Sequence, residues 1–195
     1  GTELAGVDFA KRVILITAHR RENLGEPLRE IFLAVRDIVT MFDDVEVIFP
    51  VHKNPLVRQE AAGVLGGVKR VHLVEPLNYR LFVNVMLRSH VVLTDSGGLQ
   101  EEAPSLGKPV LVLREVTERP EALAAGTVKL VGTDRDTIAA ETAKLLRDVE
   151  AYRSMAEAVN PYGDGRASVR ILKALMFYFG LTREYPEEFI PRRKT

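Results

Sequence analysis

A doubly wound α/β domain built on a parallel sheet is the fold predicted by the order of residues in this chain. Short apolar runs alternate with stretches of helical spacing from residue 13 to residue 179. The first of them, at 13–17, is continuously apolar, as a strand covered on both faces reads. The connections are short, so each right-handed crossover returns the chain to a parallel neighbour.

Residues 13–17, Val-Ile-Leu-Ile-Thr, are the first strand. Pro27 suits the first turn of a helix, and Leu28, Ile31, Phe32, Val35, Ile38, Val39 and Phe42 hold helical spacing behind it. Residues 45–49 form the second strand, closed by Pro50, and 54–63 a short helix. Val71–Val74 is the third strand. Tyr79–Arg88 is helical, with Leu81, Phe82, Val85 and Met86 on one side. Val91–Thr94, 110–113 and 127–131 complete six strands. Ile138, Thr142, Leu145 and Leu146 mark a helix, 152–159 reads as another, and 168–179 as the last. The domain is expected to span 1–180, with 181–195 a polar tail extending from it. Gly1 stands just ahead of the first strand, as expected at a domain cut.

Composition narrows the function. Lys plus Arg number 27 and Asp plus Glu number 27, so no overall basic excess calls for nucleic acid, while a local anion site stays open. The absence of cysteine excludes disulfides, thiol nucleophiles and Cys-ligated zinc. No apolar run has bilayer length and the N-terminus has no signal-peptide pattern, so a cytoplasmic protein without a membrane partner is expected.

Ligands of doubly wound sheets sit outside the carboxyl ends of the strands. The chemistry-bearing segments fall there. After the fourth strand come Asp95, Ser96, Gly97 and Gly98, then a helix with Glu101 and Glu102 in its first turn. A helix start attracts phosphate, and glycine lets a ligand approach the backbone. Ser96 either caps this helix or donates its hydroxyl to a ligand. The carboxylates one turn in suit two vicinal hydroxyls of a ribose. The segment also looks like a protease nucleophile, but that chemistry needs a β-barrel frame, and Thr94 stands where a nucleophile elbow needs glycine.

His19, Arg20 and Arg21 follow the first strand, and three cations in sequence at a ligand edge favour an anion. His19 with Glu22 has metal-ligand spacing but lacks a third ligand, so no metal is expected. His52 and Lys53 follow the second strand as a second anion contact. His72 and His90 read as structural. Arg119, before Pro120 and Glu121, is either a salt-bridged helix start or a phosphate contact.

Five segments together resemble the non-hydrolysing UDP-N-acetylglucosamine 2-epimerases: Thr17-Ala18-His19-Arg20-Arg21-Glu22-Asn23, Pro50-Val51-His52-Lys53-Asn54-Pro55, Thr94 through Pro109, Thr117-Glu118-Arg119-Pro120-Glu121 and Asn160-Pro161-Tyr162-Gly163-Asp164-Gly165. The resemblance runs from about Val13 to Phe179. It implies a Rossmann-like second domain of a GT-B-type fold, with substrate between two domains and no cofactor. It implies inversion at C2 of the sugar by elimination and re-addition of UDP, with proton transfer on carboxylates of a first domain this chain lacks. It implies that Ser96, Gly97 and Gly98 hold the diphosphate, Glu102 the ribose, Phe82 and Leu77 the uracil, and Arg119 the nucleotide. His19 matches the active-site histidine near the diphosphate. Arg20 and His52 match positions that, in some bacterial members, contact a second, activating UDP-sugar. A homodimer is implied for the full-length protein. The donor half of a GT-B glycosyltransferase and a non-catalytic UDP-sugar-binding subunit are the alternatives, and the His19–Asn23 segment argues against the first.

Overall fold

The structure, a computed structural model, describes residues 4–190. Its centre is a six-stranded sheet in the order β3-β2-β1-β4-β5-β6, with every neighbouring pair parallel. The strands are β1 (Arg12–Thr17), β2 (Val45–Pro50), β3 (Val71–Val74), β4 (Val91–Thr94), β5 (Val110–Val112) and β6 (Val128–Leu130). The strand order reverses between β1 and β4, so the crevice at their carboxyl ends is the topological switch point.

Alternation along β1 shows why the sheet is covered twice. Ile14 and Ile16 join Phe32, Ile38 and Phe49 in one buried layer; Val13 and Leu15 join Ile48, Val85 and Val92 in the other. Each such side chain, fully buried, stabilises the fold by about 1.5–3 kcal/mol. Helices α1 (Glu26–Met41), α2 (Pro55–Leu65) and α6 (Arg135–Arg147) supply the first layer. Helices α3 (Tyr79–Arg88), α4 (Leu99–Ser105) and α5 (Pro120–Ala125) supply the second. The edge strand β3 is only half-buried, and its His72 sits 2.5 Å from the buried Glu46 carboxylate on β2.

Two sequence expectations are corrected. The helix expected at 152–159 is α7 (Val149–Ala156), because Asp148 ends α6 and at once accepts from the Glu150 and Ala151 N–H groups. The polar tail does not extend away over its described part. Tyr185 meets Phe177 edge-on at 5.2 Å, and Arg170 lies over the Phe189 ring, so the tail returns along α8 (Ala167–Tyr178). α8 itself buries no residue, so its apolar side chains are open to the tail. The basic stretch 191–194 and Gly1 lie outside the described residues.

Candidate nucleotide site

The switch point is built around Asp95, which directly follows β4 and is fully buried. Its Oδ2 accepts from the backbone N–H of His19 at 2.7 Å, of Arg20 at 2.7 Å and from Asn23 Nδ2 at 3.2 Å. Arg20 Nε donates to the Asp95 carbonyl, and Asn23 donates also to the Leu113 carbonyl. One carboxylate thus ties the loop after β1 to the ends of β4 and β5. Below it, the Thr17 and Thr94 hydroxyls share a hydrogen bond, and the Ser96 N–H donates to Thr94 Oγ1.

α4 begins at Leu99 with Gly98 as its N-cap, and no side chain caps it. The first N–H groups of a helix have no partner within it, so this end remains open to an acceptor. Ser96 is therefore not the cap. A Cβ placed on Gly97 would lie 2.7 Å from Glu118 Oε1, so this backbone runs directly under the loop after β5. That loop is stitched to α4 by Thr117, which donates to the buried Gln100.

A cleft of about 320 Å³ opens over this floor. His19, His52, Leu77, Phe82, Ser96 and Glu102 all line it, joined by Thr17 and Tyr79. The His19 and His52 rings stack at 5.0 Å, nearly parallel, so one wall is a histidine pair. Phe82 and Leu77 form an apolar wall on the α3 side. Tyr79 donates to Glu102 Oε2 at 3.2 Å, and the charge of Glu102 raises the Tyr79 phenol above its ordinary value.

Four expected residues stand outside the cleft lining. Gly97 and Gly98 are in its floor segment. Arg20 points across Gly97 to Glu118 at 3.4 Å. Arg119 is held by Glu101, and that hydrogen bond raises its pKa further. Glu118 also accepts from Arg114, and its carboxyl is held below the usual range first by its own backbone amide and then, against the cost of desolvation, by Arg114. Glu22 pairs with Arg114 at 3.1 Å and does not join His19. Sequence reasoning missed the roles of Asp95, Asn23 and Tyr79. The signal for Asp95 was available: a carboxylate at the end of an apolar strand must find donors, and the loop after β1 supplies them.

A sequence profile of the UDP-N-acetylglucosamine 2-epimerases matches residues 3–176. This chain belongs to that family. The Bacillus subtilis UDP-N-acetylglucosamine 2-epimerase is 56% identical over 91% of this chain and 47% of its own length. The S. aureus MnaA–UDP co-structure superposes with a TM-score of 0.87 at 49% identity, over 92% of this chain and 49% of that one. The UDP-GlcNAc 2-epimerase of Neisseria meningitidis, solved bound to UDP-GlcNAc, gives 0.83 at 49% identity, over 87% of this chain and 46% of that one. The chain spans about half the length of the family members it matches. The fold alone is shared more widely: the C-terminal domain of a glycosyl transferase group 1 protein from Francisella tularensis superposes at 0.56 with 15% identity. Family membership argues against the glycosyltransferase alternative.

Proposed function

We propose that this chain is the nucleotide-holding, C-terminal half of a UDP-N-acetylglucosamine 2-epimerase and binds the UDP portion of UDP-GlcNAc. The observation that carries this reading is the single cleft in which His19, Leu77, Phe82, Ser96 and Glu102 meet, although they come from three different connections. Its volume lies at the low end for small-molecule sites, which are about 300–1,000 Å³. That suits a nucleoside diphosphate whose sugar projects toward another domain.

The base packs against Phe82 and Leu77. Glu102 accepts from the ribose hydroxyls, exchanging its bond from Tyr79. The diphosphate lies over Ser96, Gly97 and Gly98, where backbone N–H groups and the α4 terminus face it. Arg119 reaches the phosphates by leaving Glu101. His19 donates to a phosphate oxygen and so stabilises UDP as the leaving group when the C1–O bond breaks, an electrostatic contribution. Arg20 and His52 contact a second UDP-sugar beside the first. Proton removal and return at C2 belong to a first domain, and the full-length protein works as a homodimer.

Calorimetric titration of this chain with UDP, UDP-GlcNAc and UDP-glucose tests the reading, followed by an epimerase assay with and without an added first domain. UDP and UDP-GlcNAc are expected to bind, and the chain alone to leave the sugar unchanged. No heat with UDP would remove the nucleotide assignment. Turnover by the pure chain would overturn the division of labour.

A further inference from the structure

The Asp95 carboxylate is asymmetric in a way that the hydrogen bonds of the loop do not explain. Its Oδ2 carries three donors, whereas its Oδ1 is buried with no hydrogen-bond partner. A buried carboxylate oxygen without a donor is costly. The polar atom facing it is His19 Nδ1, at 3.4 Å. His19 is already anchored to the same carboxylate through its own backbone N–H. A small turn of the ring about its side-chain torsions brings an Nδ1 hydrogen onto Oδ1. The ring plane is meanwhile set by the stack on His52.

From this geometry we infer that Asp95 is the positioning residue for His19: Oδ1 takes the Nδ1 hydrogen, and Nε2 is the atom presented to the cleft. The ring is then held at its edge by Asp95 and on its face by His52. A carboxylate partner of this kind decides which nitrogen of a histidine carries the proton. That Nε2 donates to a diphosphate oxygen, which it can do only when the ring bound beside the phosphate carries both protons as imidazolium, rests on the nucleotide reading. The pinning of the ring does not.

Asp95→Asn makes a sharp test because the three donors on Oδ2 dictate how the amide turns. They require the amide oxygen, which leaves the NH2 group facing His19 Nδ1. That group donates, so Nδ1 must become the bare acceptor and the proton must move to Nε2. The measurement is the side-chain ¹⁵N spectrum of this chain at a pH where the rings are neutral, with His19→Gln identifying the His19 signals. In the wild type the protonated nitrogen is expected to be Nδ1; in Asp95→Asn the proton-bearing resonance shifts to Nε2. A wild-type ring protonated on Nε2 overturns the proposal, as does the same tautomer in both proteins. Should Asp95→Asn fail to fold, the wild-type tautomer alone decides. A chain with the Nδ1 proton that binds no UDP keeps the pinning and loses the nucleotide site. A chain that binds UDP with the Nε2 proton does the reverse.

Discussion

Gly97→Ala separates room for a ligand from stability of the fold. The added methyl would sit 2.7 Å from Glu118 Oε1 and 3.8 Å from Arg20 Nη2. Both atoms end long side chains at the surface, and the Gly97 backbone is not in the left-handed region that would exclude alanine. Glu118 therefore swings aside. That weakens its exposed pairs with Arg20 and Arg114, which are worth at most about 1 kcal/mol each. Replacing glycine lowers the entropy of the unfolded chain and returns about 0.4–1 kcal/mol. Stability should stay within about 1 kcal/mol of the wild type. A diphosphate over the same backbone, by contrast, is pushed off one or two charge-assisted hydrogen bonds worth about 1.5–3 kcal/mol each. With partial relaxation the loss is about 2–4 kcal/mol, or roughly 30- to 700-fold in UDP affinity. Urea unfolding and UDP calorimetry on both proteins give the two numbers. UDP affinity within about threefold of the wild type, in a variant of unchanged stability, would refute close approach of phosphate at Gly97.

Three further outcomes follow from the same structure. Glu102→Ala should lower UDP affinity by about 10- to 100-fold, the worth of hydrogen bonds to a charged acceptor, while urea stability holds; calorimetry showing unchanged affinity removes the ribose assignment. His90 stacks on Tyr152 at 4.2 Å, and burial first, then Arg12 and Lys108, hold its pKa below 6.5. The unfolded chain then binds the proton more readily, so this stability is complete above about pH 6.5 and is lost as pH falls toward the folded value. The urea midpoint of the wild type should drop between about pH 7.5 and 5.5 more steeply than that of His90→Gln, and equal slopes would count against the burial argument. On α8, Ile171 is 60% and Leu172 58% exposed, so sedimentation should show concentration-dependent self-association that Leu172→Glu weakens; a wild type monomeric at high concentration would contradict it.

How much of this was legible in the residues can be read from particular places. The strand at 13–17 declares itself because the run Val-Ile-Leu-Ile is favourable only when both faces are covered, and 47–49 reads the same way after Glu46. Five segments pointed to the family, and the resemblance in turn named His19, Leu77, Phe82, Ser96 and Glu102, which line one cleft in the fold. The start of α7 was not legible, because Asp148 serves two helices at once and a propensity pattern registers neither role. The partners of Arg119 and Arg20 were equally hidden, since an arginine has several carboxylates within reach of its sequence neighbourhood.

Sequence by itself determined the layer architecture, the strand–helix order and the family, because these depend on apolar periodicity and local motif chemistry. Only the tertiary structure decided that Asp95 is the post holding the loop after β1, that His19 and His52 share a stacked wall, and that Tyr79 reaches Glu102. Those pairs are 76, 33 and 23 residues apart or thereabouts in the chain, and no local pattern encodes them. They exist because parallel strands deliver their carboxyl ends to one edge, where side chains from separate connections must satisfy one another.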